Sequence, residues 1–555
     1  MVYPFYRTFL PISFLCFVFV SPILAKEPSI KLGWDLNPEV RVSGYNVYRS
    51  TDKDQEPVLL NQKGPIAETS YLDRSVKNGV TYDYRITAVD LQGLESEFSS
   101  LLRVAVPESQ RPRETVFMPA SLPSGQPGFE ETFLGIGLLN LSDNPDQISL
   151  TGVDSQGAAT GYQVADQLLP HGRCAHPPDE LAAAPAQTIG ILSQASCDIH
   201  PFFLAGTKDL KSFEGMTEAL KPGKTLYFPI TVSETGSSVL GLFNPQEKKE
   251  ARVELTAWTP EGTLAGTTTV ALPPFGAAQH ALREFFGENF QLKEGYLKAV
   301  STEPVEGYEI SSFDAQSLSA LPAQSTERGH RLTLPHFFFD DSGGETEIRL
   351  INTDEREVEV TFSISVDGSQ KPQSSTLRVP ALAQAMVQVR TLLGRQGKAG
   401  VVTGHLEVTG TRTENGERLY GKVIAEATFV GNGGTARTSV PLRREGTDTW
   451  IFPMVMQSRE AGLTTGLALL NQKDQTIALT IRALDDQGNI TAERAIELPA
   501  GQRLVGLLDT DLFFGPDFAQ TGGHLEVTGD RSFLAMAIFG DVLVEFLSHI
   551  GPVER

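Results

Sequence analysis

A chain of 555 residues with 40% hydrophobic content, a net charge of −22 and three cysteines is far longer than one hydrophobic core sustains. Its acidity repels phosphate backbones and anionic lipid surfaces, which excludes nucleic-acid binding and a peripheral membrane role. So few cysteines exclude a disulfide-dense scaffold, and the hydrophobic content supplies several ordinary cores instead.

Residues 1–25 read MVYPFYRTFLPISFLCFVFVSPILA: Arg7 precedes an apolar run from Phe9 to Val20, and the small Ala25 stands before Lys26. This is the pattern of a cleaved export signal, with an uncleaved anchor as the alternative. Cys16 follows Ser13-Phe14-Leu15, which lacks the small residue that precedes a lipidated cysteine, so lipidation is excluded. No later stretch reaches the roughly 18 apolar residues of a spanning helix. The mature chain is expected to be exported without a transmembrane segment.

SIKLGWDL places Ile30, Leu32 and Trp34 at alternate positions, and GYNVYRS does so with Tyr45 and Val47, the period of half-buried strands. The turn Lys77-Asn78-Gly79 then leads into VTYDYRITAVD, which sets Tyr82, Tyr84, Ile86 and Ala88 on one face. With Gly44, the closing Gly93-Leu94-Glu95-Ser96 and a last strand ending at Val106-Pro107, these residues resemble a fibronectin type III domain over about 28–107. The resemblance implies a seven-strand sandwich with Trp34 on strand B and a tyrosine corner at Tyr82, used for adhesion or spacing without a cofactor. Integrin-type recognition is not implied, because the chain contains no Arg-Gly-Asp.

Glu108 to Glu114 is polar and proline-bearing, as a linker is. Five landmarks then recur four times: Pro119, Pro229, Pro335 and Pro453 after apolar letters; Asn140, Asn244, Asn352 and Asn471 closing apolar runs; turn glycines at 157, 262, 368 and 488; Pro170, Pro273, Pro380 and Pro499; and Gly190, Gly295, Gly404 and Gly523 opening strands. The copies lie about 105 to 119 residues apart, too long for a solenoid unit, so each is expected to own a core. Short alternating strands such as ARVELTAW and ALTIRAL, separated by Gly, Pro and Asp turns, read as antiparallel sandwiches. A helical turn is expected at ALREFFGENF and at LLDTDLFF. The units look like the immunoglobulin-like repeats of bacterial secreted proteins. The expected organisation is all-β: signal 1–25, fibronectin-like domain 26–107, and tandem antiparallel β-sandwich domains over 108–224, 225–326, 327–445 and 446–555, strung as a semi-rigid rod.

One heptad, GHLEVTG, is written from Gly404 to Gly410 and again from Gly523 to Gly529. Alternation turns Leu406 and Val408 to a core and His405 and Glu407 to a solvated face. Either a recent duplication has kept its exposed letters, or His405, Glu407, His524 and Glu526 present the same His-x-Glu pair to a repeated ligand such as a polysaccharide or a divalent ion.

The first repeat holds both mature cysteines, Cys174 and Cys197, with His171, His176 and His200. In an exported chain the cysteines are expected to form one disulfide, closing a loop of about 24 residues and stabilising it by about 3 kcal/mol. The alternative is zinc held by these histidines and thiolates, although the spacing matches no standard zinc module. No Gly-x-Ser-x-Gly, His-Glu-x-x-His or phosphate-loop pattern occurs, so no catalytic residue, cofactor or metal is assigned. Asp340, Asp341 and Glu345, and the pair Asp485-Asp486, read first as turn residues and second as calcium ligands. Trp258 and Trp450 read as packing rather than as sugar platforms.

The reading is an exported, non-enzymatic binding or scaffold protein at the cell surface, in the matrix or in the periplasm. Its partner is a protein or a polysaccharide. The second reading is a carbohydrate-binding accessory to a polysaccharide-degrading enzyme.

Overall fold

The computed structural model describes residues 17–21, 29–34, 37, 42–51, 56–77, 80–105, 113–120, 126–127, 129, 132–176, 184–196, 199–207, 213–217, 222–232, 236–314, 317–326, 330–369, 371–394, 400–414, 416–434, 436–541 and 547–554. Strands dominate, and no helix among the described residues is long and apolar enough to cross a membrane. The chain divides into two compact units: 1–112 with 326–330 and 411–420, and 113–325 with 331–410 and 421–555.

In the first unit a three-stranded sheet runs Phe17–Ser21, Ser29–Gly33, Ser70–Asp73, and a four-stranded sheet runs Val58–Leu59, Val42–Ser50, Thr81–Asp90, Leu102–Ala105. Alternation explains the core: Ile30, Leu32 and Trp34 meet Tyr45, Val47, Tyr82, Tyr84, Ile86 and Ala88, all buried. Trp34 packs edge-on against Tyr45 with ring centroids 5.5 Å apart. The Lys77 N–H donates to the Tyr82 hydroxyl at 2.9 Å, the bond that defines a tyrosine corner. Tyr84 donates its hydroxyl to Asp73, which Arg49 also holds at 2.6 Å.

In the second unit one strand order recurs. Segment I (113–217) has strands Arg113–Pro119, Thr132–Asn140, Asp146–Val153, Ala159–Leu168, Arg173–His176, Gly190–Ser196, Ile199–Thr207 and Phe213–Met216. Taken in chain order, its first sheet runs fourth, third, sixth, first, and its second sheet runs fifth, second, seventh, eighth. The same two orders are found in segment II (222–325), segment III (331–410 with 421–445) and segment IV (447–554) among the described residues, with the sixth and seventh strands continuous as Glu294–Asp314 in II and His524–Asp541 in IV. Pattern and burial agree along these strands. In Val358–Val366, for example, Val358, Val360, Phe362 and Ile364 are fully buried and the residues between them are half-buried. The helical turn expected at ALREFFGENF forms as Leu282–Phe286, whereas LLDTDLFF closes as hydrogen-bonded turns, Thr510 N–H to Leu507 and Phe513 N–H to Thr510; a second short helix, Val389–Leu392, lies in segment III.

The four asparagine landmarks share one job. Each is fully buried, and its amide nitrogen donates to carbonyls about 28 residues on: Asn140 to Leu169 at 3.0 Å, Asn244 to Pro273 at 2.9 Å, Asn352 to Pro380 at 2.8 Å and Asn471 to Pro499 at 3.1 Å. A side-chain amide suits this because it supplies two donors and an acceptor to backbone that has left the ladder. These bonds make Leu169, not Pro170, the equivalent of the other three prolines.

The landmark opens a tight turn whose third residue is left-handed in every segment: His171 at φ 52, Phe275 at 55, Leu382 at 57 and Gly501 at 65. Three of the four are not glycine, so the strain is held by what packs on them. The packing comes from the turn of the preceding segment. Ser155 of I accepts the Ala277 N–H of II at 3.3 Å, Pro260 of II accepts the Gln384 N–H of III at 2.7 Å, and Asp486 of IV accepts the Arg173 N–H of I at 2.9 Å. At the remaining step Asp367 of III binds the Arg503 guanidinium of IV. The head-to-tail contact therefore closes on itself after four copies, as a heterologous interface does when its rotation completes a circle.

This closure replaces the expected rod, while each segment keeps a main core cluster of its own. The physical reason lies two residues before three of the four landmark prolines, where a large side chain leaves its own sandwich for the next segment. Phe117 stacks on Phe243 at 4.3 Å, Tyr227 packs with Ile351 and Ile424, and Ile451 packs with Leu139 and Phe202. Sheets apolar on both faces bury both: small apolar clusters join the segments, and the core of I extends onto Val239, Phe243 and Tyr308 of II.

Candidate functional site

The second letter of GHLEVTG stands at these junctions. Its equivalents are Ile191, Tyr296, His405 and His524, one on the sixth strand of each segment. Tyr296 donates its hydroxyl to Leu382 of segment III at 3.0 Å. His405 lies beside Asp367 and beside Arg503 of segment IV, and His524 lies beside Asp485, Asp486, and Arg173 and His171 of segment I. Arg503 and Arg173 occupy equivalent places. Arg503 donates to the Gly404 carbonyl at 2.6 Å, to His336 Nδ1 at 2.5 Å and to Asp367. Arg173 donates to Asp486 at 2.7 Å and to the Pro453 carbonyl at 3.1 Å, and Asp486 also accepts the Gly523 N–H at 2.9 Å.

The expectation of a solvated His-x-Glu face is corrected by this geometry. His524 is 1% exposed and His405 half-buried, because the next segment covers the strand that an isolated sandwich would leave wet. Burial, with Arg173 and His171 close by, pushes His524 down to about 4, and burial with Arg503 also lowers His405. Both imidazoles are neutral at pH 7. Glu407 accepts from Gln472 of segment IV at 2.6 Å and lies 3.6 Å from Arg331; Glu526 accepts from Thr528 at 3.3 Å. The two heptads thus share the histidine environment and differ in what the glutamate meets.

The other candidates are scattered. His171 pairs with Asp143 at 2.8 Å, and burial with nearby Asp166 pushes the Cys174 thiol up to about 12. Cys197 and the side chain of His176 lie outside the described residues, and His200 is half-buried on Ile199–Thr207. Among the described residues no three His, Cys, Asp or Glu side chains are grouped as a metal would require. Asp340 accepts from Ser342 at 2.8 Å and Gly344 at 2.9 Å, which closes a hairpin turn, and Glu345 binds Arg390 at 3.2 Å. Asp485 accepts from Gln487 and Asn489 in the same manner. Trp450 is fully buried and donates to Phe533, and Trp258 stacks on Tyr296.

Two features escaped the sequence. The eighth strands touch in turn, I to II, II to III, III to IV and IV to I, and buried carboxyls gather near them. Burial raises Glu214 well above the usual carboxylate range and Glu309 to about 8; it also raises Glu426 although Arg349 pairs with it at 2.6 Å. The signal was present as a single acid in an otherwise apolar strand, Glu426 in VIAEATFVG.

The second is a cleft of about 280 Å³ between segments III and IV, lined by His336, Phe338, Ala468, Leu507, Met536 and Ile538 among others. Three residues before each landmark asparagine the four segments carry Gly137, Gly241, Arg349 and Ala468. The Phe202 ring covers Gly137, the Tyr308 ring covers Gly241, and Glu426 pairs with Arg349. Ala468 faces Met536 across the ladder, and the space beside that pair stays open.

No family model matches the chain, and no curated protein matches it. Solved structures do. A fibronectin type III-like protein from Clostridium thermocellum matches at 25% identity over 17% of this chain and 91% of that one, with a TM-score of 0.14. A myokine structure matches at 20% identity over 18% and 100%, with a TM-score of 0.15. The pectate lyase PelI from Erwinia chrysanthemi matches at 20% identity over 17% of this chain and 28% of its own length, with a TM-score of 0.14. The likenesses are partial, and the assignment of tandem β-sandwiches stands on the sheets themselves.

Proposed function

We propose that this chain is an exported, non-enzymatic scaffold that binds a protein partner at the cell surface or in the matrix. The observation that supports it is how the chemistry-bearing side chains are used. His336, His405, His524, Arg173 and Arg503 lie in the junctions that join segments, and Asp340 and Asp485 close turns. A closed circuit of sandwiches is stiff, and stiffness lowers the entropy lost when surface loops engage a partner. The cleft between III and IV carries apolar groups and a His336 pushed down to about 3 by burial and Arg503, a composition suited to contact rather than to proton transfer.

The test uses the chain from Lys26 to Arg555 against the envelope fraction, the same fraction after protease treatment, and insoluble polysaccharides. Retention that protease treatment abolishes is expected. Retention on polysaccharide instead would move the protein to the accessory reading, and release of reducing ends from any polysaccharide would overturn the non-enzymatic one.

A further inference from the structure

In the first unit, Phe17–Ser21 is the edge strand of its sheet. It pairs antiparallel with Ser29–Gly33, with Val18 opposite Leu32, Phe19 opposite Lys31 and Val20 opposite Ile30. The other side of Ser29–Gly33 is taken by Ser70–Asp73. This edge strand is drawn from the stretch that reads as an export signal ending at Ala25. Cleavage there removes it and leaves Lys26, Glu27 and Pro28 ahead of Ser29. Three residues cannot turn back and rebuild a five-residue ladder, since a hairpin needs at least a two-residue loop before its returning strand. The exported domain would keep its buried Ile30 and Leu32, whose N–H and C=O groups stay paired with 71–73, yet expose those of Ser29, Lys31 and Gly33 as a bare edge beside a core.

We propose that in the exported chain this edge receives an extended strand from another protein. The inference rests on the export reading above. The register states what fits: apolar, β-branched residues opposite Ile30 and Leu32, as Val20 and Val18 are, and an acidic residue between them opposite Lys31. A second copy of the same edge fits poorly. Antiparallel self-pairing centred on Lys31 sets Lys31 against itself, and like charges directly opposite are destabilising. The occupant is therefore a partner strand reading apolar, acidic, apolar, and not this chain's own edge.

Three measurements test it in order. The intact mass of the exported protein fixes the N-terminus: a start at Lys26 is expected, and retention of residues 17–21 overturns the vacancy without touching the scaffold reading. Hydrogen exchange on the chain from Lys26 then follows the amides of Ser29, Lys31 and Gly33, with Ile30 and Leu32, paired to 71–73, and the Lys77 amide at the tyrosine corner reporting whether the domain is folded. Fast exchange at Ser29, Lys31 and Gly33 beside protected Ile30 and Leu32 is expected in the free chain, and protection of all five overturns the proposal. Finally a peptide with a Thr-Val-Glu-Val-Thr core is titrated beside one with Thr-Val-Lys-Val-Thr. The first is expected to protect Ser29, Lys31 and Gly33, or to restore protection at Lys77 if the free domain is loose, and to bind about tenfold more tightly than the second. Equal binding, no protection by either, or protection that instead rises with protein concentration as a dimer forms would each overturn it.

Discussion

Three of the four junctions of the second unit share a backbone contact, and the four divide in chemistry. At I/II and II/III the residues at the clasp are Ala277 and Gln384, and the strand behind them offers Ile191 and Tyr296. At III/IV and IV/I the same places hold Arg503 and Arg173, with His405 and His524 behind. At I/II, II/III and IV/I the contact is therefore written into the backbone, through a left-handed turn met by an incoming carbonyl, whereas III/IV rests on the Asp367 and Arg503 side chains, and the side chains decide how strongly each junction depends on charge and on pH. The repeated heptad follows from this: both of its copies stand where the next segment brings an arginine.

The most disruptive way to test the shared backbone is to add one carbon to it. A Cβ at Gly488 would lie 2.2 Å from the Pro170 carbonyl oxygen of the neighbouring segment, on a backbone at φ 84. Gly368 has nearly the same φ of 77 and nothing within 4 Å. Gly488→Ala is expected to cost roughly 4 kcal/mol, from overpacking added to left-handed strain, and Gly368→Ala roughly 1 kcal/mol from the strain alone. Urea unfolding followed by tryptophan fluorescence measures both. Equal costs would mean that the IV/I contact does not persist in solution.

The charged junctions also predict a pH dependence that the apolar ones lack. His524 is held at about 4, below the roughly 6.5 of an unfolded histidine. Above pH 6.5 both states are neutral and nothing is lost. As pH falls from 6.5 to about 4 the unfolded chain takes up a proton that the folded chain refuses, so stability drops by roughly 3 kcal/mol. His524→Gln should remove its share of that drop, leaving the shares of His336 and His549, which burial also lowers. Glu309 tilts the other way. Held at about 8, it keeps its proton when folded, so its contribution is complete below about 4.5 and declines as pH rises towards 8. Glu309→Gln should therefore flatten the decline between about 4.5 and 8, which opposes the His524 slope below 6.5 and stands without it above, so a melting-temperature profile against pH separates the two between 6.5 and 8.

Removing the clasp itself is a smaller change. The Arg173 side chain is 7% exposed and bonds to Asp486 and to the Pro453 carbonyl, whereas Asp486 is 47% exposed and can rehydrate. Arg173→Ala is expected to cost about 2 kcal/mol, the scale of hydrogen bonds to a charged group, and Gln384→Ala at the equivalent place less than about 1 kcal/mol. If both cost the same, the arginine adds nothing beyond the shared backbone contact.

Much of this fold was legible in the letters, and the circuit was not. Strand period, the asparagine and glycine landmarks, and the aromatic core of the first domain follow from local rules: alternation, turn chemistry and buried amides. What alternation cannot say is whether a polar face meets water or another segment. His405, Glu407 and His524 were read as a wet face because an isolated strand offers no other surroundings. Phe117, Tyr227 and Ile451 carried the missing information, since each places a large apolar group on the side of its strand that an isolated sandwich would give to solvent. The turn glycines carried it too, because a close approach by a neighbour demands the same residue as a tight turn. For the candidate site, the sequence found the histidines and missed the arginines, whose partners lie up to 313 residues away.

The glutamates of the heptad sharpen the comparison at the smallest scale. Glu407 reaches across III/IV to Gln472, whose amide also bonds to the Thr333 hydroxyl at 3.1 Å, while Glu526 bonds within its own strand. Thr333 stands where the other segments place Phe117, Tyr227 and Ile451, so at III/IV a small polar bridge replaces a large apolar plug. Glu407 is partly exposed and its partner is neutral, which limits the bridge to about 1 kcal/mol. Gln472→Ala should lower stability by that amount, and Gln472→Ala combined with Glu407→Gln by little more, because each change removes the same bond. Gln472→Leu gives the sign of the comparison: a gain in melting temperature would show that an apolar plug closes III/IV better than the bridge, and a loss would show that the buried Thr333 hydroxyl needs its donor.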